Sequence, residues 1–375
     1  MPRHDREYVR AVIGAPVVPP GRLSRAVVRV RTALLGAHRA AAPAPVRVLE
    51  GLFGLFDNRV LGLLVELDVP ERLDRPRSVA DLAGELSADE DGLDRLLRYA
   101  AGRGFVDRDR RGRYRPNGVT EILRRDHPGS WRGWVAFASS GWFWDAWRHA
   151  DAPVRRAGAS GIEVATGHAF FDYVNRENPS GGDAFNTAMK SGARLQALAL
   201  GHALDWAQVQ TVCDVGGGTG VALESLLREF DHLRGTLNDL PEVVAGAQAG
   251  LTDGALASRC EIAGGDFFER VPQGHDRYLL MAIVHDWDDE HAGSILRNVA
   301  AVMKPASRAV VVEGVLRERP RDEFVAASDL LMLVLGSGRE RTQAQFERLF
   351  GDAGLRIDDQ LVLASGSTAF VLAPT

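Results

Sequence analysis

Apolar positions follow three different patterns along the chain. Between residues 46 and 100 they recur at helical spacing, and Leu49, Leu52, Phe53, Phe56, Val60, Leu61, Leu64 and Leu67 predict one apolar helix face. Ser78 predicts the cap of a second helix carrying Val79, Leu82, Ala83 and Leu86. Leu93, Leu96, Leu97 and Ala100 predict a third, ending near Gly102 and Gly104. Phe105-Val106-Asp107 and Arg113-Tyr114-Arg115 then flank a polar turn, which is a hairpin signal. Helix, turn, helix and hairpin together describe a winged helix. From residue 211 the period changes. Short apolar runs at 211–215, 235–238, 260–263, 277–284 and 308–312 alternate with amphipathic helical stretches, which predicts a parallel sheet covered on both faces. Runs at 360–363 and 369–372 predict an antiparallel hairpin around Gly366. Between these regions Trp131, Trp134, Trp142, Trp144 and Trp147 crowd together before an Ala/Leu-rich helix at 185–204. Such aromatic density builds core between helices or lines a pocket for a flat aromatic ligand.

With 375 residues the chain exceeds the roughly 250–300 at which single cores stop growing. The divisions expected are an extension at 1–45, a winged-helix domain at 46–125, a helical region at 126–205 and an α/β domain at 206–375. A formal net charge of −5 excludes a strongly basic nucleic-acid-binding composition. Arginines still cluster at 3–39 and 103–125, and 23–42 has the pattern of an Arg-rich amphipathic helix. A winged helix binds DNA or packs subunits. Here the wing is basic, but the second of its paired helices opens with Asp89, Glu90, Asp91 and Asp94, which would repel phosphate. Cys213 and Cys260 both fall in apolar strand candidates, so buried free thiols in a reducing cytoplasm are expected. Neither a signal-peptide pattern nor an apolar run of about 18 residues stands out, so no membrane partner is expected.

Candidate chemistry concentrates after residue 211. Asp214-Val215-Gly216-Gly217-Gly218-Thr219-Gly220 joins a strand candidate to a helix candidate. Glycines at such a turn let a ligand approach backbone N–H groups at a helix start. The dinucleotide spacing G-x-G-x-x-G fails, because Val221 stands where its third glycine would be. The Asp-x-Gly-x-Gly-x-Gly pattern matches enzymes that use S-adenosylmethionine (SAM), which shifts the expectation from hydride to methyl transfer. Asp239, at the predicted end of the second strand, can accept from a ribose diol or cap the helix after Pro241. Asp266 and Phe267 follow the third strand, as an adenine site or as ordinary loop and core residues. His285 ends the fourth strand, where ligands of open α/β sheets bind. A neutral imidazole there can take the proton of a phenol being alkylated, or it can be structural. Asp286 and the following acids can act beside it or start a helix, and a His285, Asp286 and Asp289 metal set lacks a second His or Cys. Glu313 and Glu340 can each orient His285 or the substrate hydroxyl, and spacing alone does not choose between them.

These segments, in order, resemble the small-molecule O-methyltransferases of plants and bacteria, of the caffeate and acetylserotonin type. The matching stretches are Asp-Val-Gly-Gly-Gly-Thr-Gly, Asp-Leu-Pro-Glu-Val-Val, Gly-Asp-Phe-Phe, His-Asp-Trp-Asp-Asp-Glu, Val-Val-Glu, Asp-Leu-Leu-Met and Arg-Glu-Arg-Thr. They cover 211–355 densely, and Phe185-Asn186-Thr187-Ala188-Met189 with the winged-helix region extends the likeness. The resemblance implies a Rossmann-like SAM domain, a winged-helix dimerisation module, a homodimer and no metal. It implies His285 as general base, with Glu313 and Glu340 as the acidic residues that flank and orient it, and Asp286 beside them is the fourth catalytic candidate. Asp214, Gly216, Gly218, Gly220, Asp239, Leu240, Asp266 and Phe267 become the SAM-binding candidates. Trp144, Asn186, Met189 and Met332 become the candidates for holding a small aromatic hydroxylated acceptor. Two departures stand out: Met281 replaces the lysine of plant members, and the stretch from Met332 to Glu340 is one residue shorter. Some relatives bind SAM but hydroxylate or decarboxylate, and His285 favours methyl transfer.

Overall fold

The structure, a computed structural model, describes residue 30 and residues 33–127, 129–317 and 323–375. Most of the extension at 1–45, with most of its arginine cluster, lies outside the described residues; of the predicted Arg-rich helix, 33–41 is helical. The described residues form two compact units, one of residues 33–145 and 171–191, the other of 146–170 and 192–375.

In the first unit, helices α1 (Ala44–Glu66), α2 (Val79–Leu86) and α3 (Glu90–Gly102) precede a hairpin of Asp107–Arg108 with Tyr114–Arg115. Capping sets the boundaries: the Asp81 N–H donates to Ser78 Oγ, and the Gly92 N–H donates to the Asp89 carboxylate. Leu64, Leu82, Leu93, Leu97, Val106 and Tyr114 close one core, as the spacing predicted. Asp94, one of the acids read above as repelling phosphate, accepts from the Tyr114 hydroxyl at 2.7 Å. The predicted apolar face of α1 divides in two. Leu64 is 1% exposed, but Leu52 is 60% and Phe53 41% exposed, because only the C-terminal half of this helix meets the core. Further on, Phe137 lies 4.9–5.9 Å, ring to ring, from Trp134, Trp142, Phe143 and Phe185, an aromatic core.

The second unit is built on a seven-stranded sheet. Its strands are β1 (Thr211–Val215), β2 (Arg234–Asp239), β3 (Cys260–Gly264), β4 (Arg277–Met281), β5 (Arg308–Glu313), β6 (Leu355–Val362) and β7 (Thr368–Pro374). The order is β6-β7-β5-β4-β1-β2-β3, parallel except for β7, which runs antiparallel to β5 and β6. Alternate side chains enter opposite cores, as the pleat requires. Val212, Leu279 and Val310 join α5 (Val221–Glu229), while Cys213, Leu280 and Val311 join α6 (Asp289–Val302) and α8 (Gln343–Asp352). Here α4 is Pro179–Ala203 and α7 is Glu323–Leu335. Both cysteines are free, but only Cys213 is buried; Cys260, near the edge strand's start, is partly exposed. The run predicted at 277–284 stops being strand at Met281. Ala282 then adopts a left-handed φ of 56°, which turns the chain off the sheet. Among the described residues no helix is long and apolar enough to cross a membrane.

Candidate active site

The glycine loop leaves β1 in the conformation its sequence demands. Gly216, Gly218 and Gly220 have φ values of 71°, 60° and 84°, the left-handed region where a side chain is strained. The Gly216 N–H donates to the Asn238 carbonyl at 2.8 Å, fastening the loop to β2. At Gly218 a Cβ would meet nothing within 4 Å, whereas at Gly216 it would press on Ile283 and Phe267. The loop is thus packed behind and open at Gly218. Asp239, ending β2, accepts the Gly218 N–H and the Leu240 N–H, each at 2.7 Å. Burial pushes its carboxyl up, against these two bonds. Asp214 is buried, with Oδ2 lacking a hydrogen-bond partner. Burial and then the Asp239 charge raise it to about 7. An open glycine cradle beside the buried Asp214 carboxylate and the half-buried Asp239 carboxylate fits a cationic nucleoside such as SAM. Asp266 spends one carboxylate oxygen on the Phe268 N–H at 2.8 Å, the loop role weighed above, and Phe267 packs edge-on to Phe268 and Trp287.

The turn after Ala282 carries His285 into a buried acidic cluster. Glu313, at the end of β5, accepts from the Ile283, Val284 and His285 N–H groups through Oε1 at 3.0, 2.7 and 3.3 Å. Its Oε2 lies 3.6 Å from His285 Nδ1. Glu340 lies closer, with Oε1 3.0 Å from Nδ1. A carboxylate only accepts, so Nδ1 carries the hydrogen and Nε2 is the nitrogen left for a proton. Glu340 therefore orients the imidazole, and Glu313 orients the backbone beneath it. The shorter stretch before Glu340 does not displace it: Ser328 Oγ on α7 donates to Glu340 Oε1, and Asp329 accepts the Glu340 N–H. Asp286 Oδ1 stands 3.5 Å from His285 Nε2. Burial pulls the imidazole's pKa down, but Glu313, Asp286 and Glu340 outweigh it and raise it to about 10. Burial raises Glu313 to about 7 and Asp286 to about 6, each opposed by the charge on His285.

His285, Glu313 and Glu340 place one ligand atom each within 4.8 Å of one another, a grouping that could in principle hold a cation. The set weighed from sequence is not formed, since Asp289 turns away to accept from Arg341 Nε at 2.8 Å. The helix-start alternative for the acidic run holds for Asp288, which caps α6 by accepting the His291 N–H.

All four catalytic candidates thus converge in the second unit. Met332 lies on α7 one turn after Ser328, on the same face by helical spacing. Trp144 lies on the helix Gly141–Arg148, and Asn186 and Met189 lie on α4, with Asn186 exposed. Sequence reasoning missed Ser328, Gly338 and Arg341. Only Arg341 left a signal, as the neighbour of Glu340 in Arg-Glu-Arg-Thr.

Comparison with known proteins identifies the family. An O-methyltransferase domain model matches residues 147–356, and an O-methyltransferase dimerisation domain model matches 49–126. The mitomycin biosynthesis 6-O-methyltransferase of Streptomyces lavendulae is 37% identical over 89% of this chain and 95% of its own length. The aclacinomycin 10-hydroxylase RdmB of Streptomyces purpurascens is 31% identical over 78% of each chain. A solved O-methyltransferase from neocarzinostatin biosynthesis, in complex with SAM and 2-hydroxy-5-methyl naphthoic acid, superposes with a TM-score of 0.70. It is 29% identical, covering 85% of this chain and 96% of that one. With both domain models matched in order, the chain belongs to the SAM-dependent O-methyltransferase family.

Proposed function

We propose that the protein methylates a phenolic or similar hydroxyl of an aromatic secondary metabolite, with His285 as general base. The observation that carries this reading is the 3.0 Å contact of His285 Nδ1 with Glu340, which commits that nitrogen as donor and, in the neutral imidazole, leaves Nε2 to accept a proton. When bound, SAM supplies a sulfonium-activated methyl group and remains as S-adenosylhomocysteine. Asp239 and the Gly216–Gly220 backbone hold the cofactor, with Asp214, Leu240, Asp266 and Phe267 around it. His285 takes the hydroxyl proton on Nε2, and Glu340, Glu313 and Asp286 stabilise the imidazolium that results. Met332, on α7 with Ser328, contributes to holding the acceptor. The relative solved with a hydroxylated naphthoic acid supports an aromatic acceptor of that class. The matched dimerisation domain and the exposed Leu52, Phe53 and Phe56 support a homodimer, and two free cysteines suit the cytoplasm.

The test is incubation with SAM and a panel of hydroxylated polyketides and phenols, read by mass spectrometry. Gain of one methyl group, lost in His285→Ala, is the expected result. The hydroxylase relative favours one second reading, a SAM-binding enzyme that transfers no methyl group. That reading predicts calorimetric SAM binding with no methylated product across the panel.

A further inference from the structure

We propose that Arg341 is a positioning residue that fixes the His285 turn against Glu340, and that its guanidinium sets the geometry of the general base. This rests on the reading of His285 as base. Arg341 is 0% exposed, so its charge has been taken fully out of water, which is costly unless every donor is used. Its Nε donates to Asp289, at the start of α6, at 2.8 Å. One terminal nitrogen donates to the Val284 carbonyl and the other to the Trp287 carbonyl, each at 2.8 Å. These two carbonyls bracket His285 and Asp286. The same turn has its N–H groups held by Glu313. An anion grips the donors of the turn, and a cation grips its acceptors.

Strand alternation explains why one dipeptide serves both parts of the histidine. Arg341 begins a short parallel bridge with Val315, and successive side chains in extended backbone point to opposite sides. Glu340 reaches the imidazole while Arg341 reaches the peptide groups beneath it. The loop before them is seated on the same turn: the Arg339 N–H donates to the His285 carbonyl at 2.8 Å. A Cβ at Gly338 would collide with that carbonyl, so only glycine allows this approach. The ion pair with Asp289 is half open to solvent and contributes little by itself. The two carbonyl bonds define the turn.

The experiment compares Arg341→Lys, Arg341→Met and Gly338→Ala with wild type in methylation kinetics across pH, SAM calorimetry and thermal unfolding. Lysine keeps the charge but loses the fork. Displacement of a catalytic group by about 1 Å costs up to roughly 10²-fold, so kcat in Arg341→Lys should fall about 10–100-fold. SAM affinity should stay within about twofold, since the glycine loop is untouched. The pH limb belonging to His285 should move to lower pH, because a loosened Glu340 no longer supports the imidazolium. Gly338→Ala should reproduce that signature from the other side of the turn. Unchanged kcat and pH limb in a folded Arg341→Lys overturns the proposal. So does a fall in kcat that only tracks lost SAM binding and lost stability, with the limb unmoved. If His285→Ala retains turnover, the base reading fails; if it is inactive while Arg341→Lys is normal, only the positioning role fails.

Discussion

The two ends of the active site are built by opposite strategies. The cofactor end is local: Asp214 to Gly220 are consecutive, and their conformation follows from glycines at left-handed φ. The base end is assembled across the chain, with Glu313 and Glu340 lying 28 and 55 residues beyond His285. At the first, the backbone creates an opening that a ligand fills. At the second, buried charges neutralise one another, and a ring with 17% of its side chain exposed is held by carboxylates at 1% and 3%. The contrast teaches that cofactor affinity and catalytic rate are separable here. Substitutions at one end should leave the other nearly intact.

The strongest break comes from His285→Ala. Removing a general base costs roughly 10²–10⁴ in rate, so kcat should fall by that factor. Calorimetric SAM affinity should be unchanged, because no bond joins His285 to the glycine loop among the described contacts. Equal losses in both measurements would end the separation. Glu340→Gln should cost less, about tenfold in kcat, and change the pH profile more than the rate. Three acidic neighbours raise the imidazole to about 10, so the neutral form able to accept a proton grows as pH rises toward that value. Losing one negative neighbour disfavours the cation, so the pKa falls and the activity limb moves toward acid. A limb that stays in place would show that Glu340 does not govern the titration.

Gly218→Ala addresses the other end. The methyl group enters open space but requires a left-handed φ, worth roughly 1–2 kcal/mol. SAM affinity should fall about tenfold, with kcat at saturating SAM preserved. A kcat effect larger than the affinity effect would mean that the loop also shapes the base.

The same contrast explains what was legible in the sequence. The strands β1 to β5 and the glycine loop were readable because period and spacing encode them directly. His285 was expected to end the fourth strand, and instead stands in a turn four residues beyond its last residue, Met281. The choice between Glu313 and Glu340 was not readable, because it depends on how β5 and the loop before Glu340 approach one turn. Ala282 gave no warning of its left-handed φ, since alanine has no preference for it. Arg341 was hidden for a related reason: a buried arginine looks like a surface one until the carbonyls it binds are placed. Leu52 and Phe53 carried the helical period faithfully, yet period alone does not say whether a face meets its own chain or stays exposed.

The last effect expected is on stability, at the cofactor end. Asp214 is raised from 3.8 to about 7 by burial and by the Asp239 charge. Its folded pKa thus exceeds its unfolded value, so the stability it contributes is fully present below about pH 4. That stability is lost progressively as pH rises to about 7 and stays lost above. Asparagine has nearly the same shape and does not titrate. The SAM-free Asp214→Asn protein should therefore gain thermal stability over wild type as pH rises from 4 to 7, with a constant gap beyond. The gain at pH 8 should appear as a higher midpoint of thermal unfolding. SAM should stabilise the variant less than wild type, because a carboxylate kept costly without ligand is relieved when a cation arrives. Thermal unfolding at pH 4.5 and 8, with and without SAM, decides it. A gap independent of pH would assign Asp214 to packing, and would leave the cofactor end resting on its glycines and Asp239.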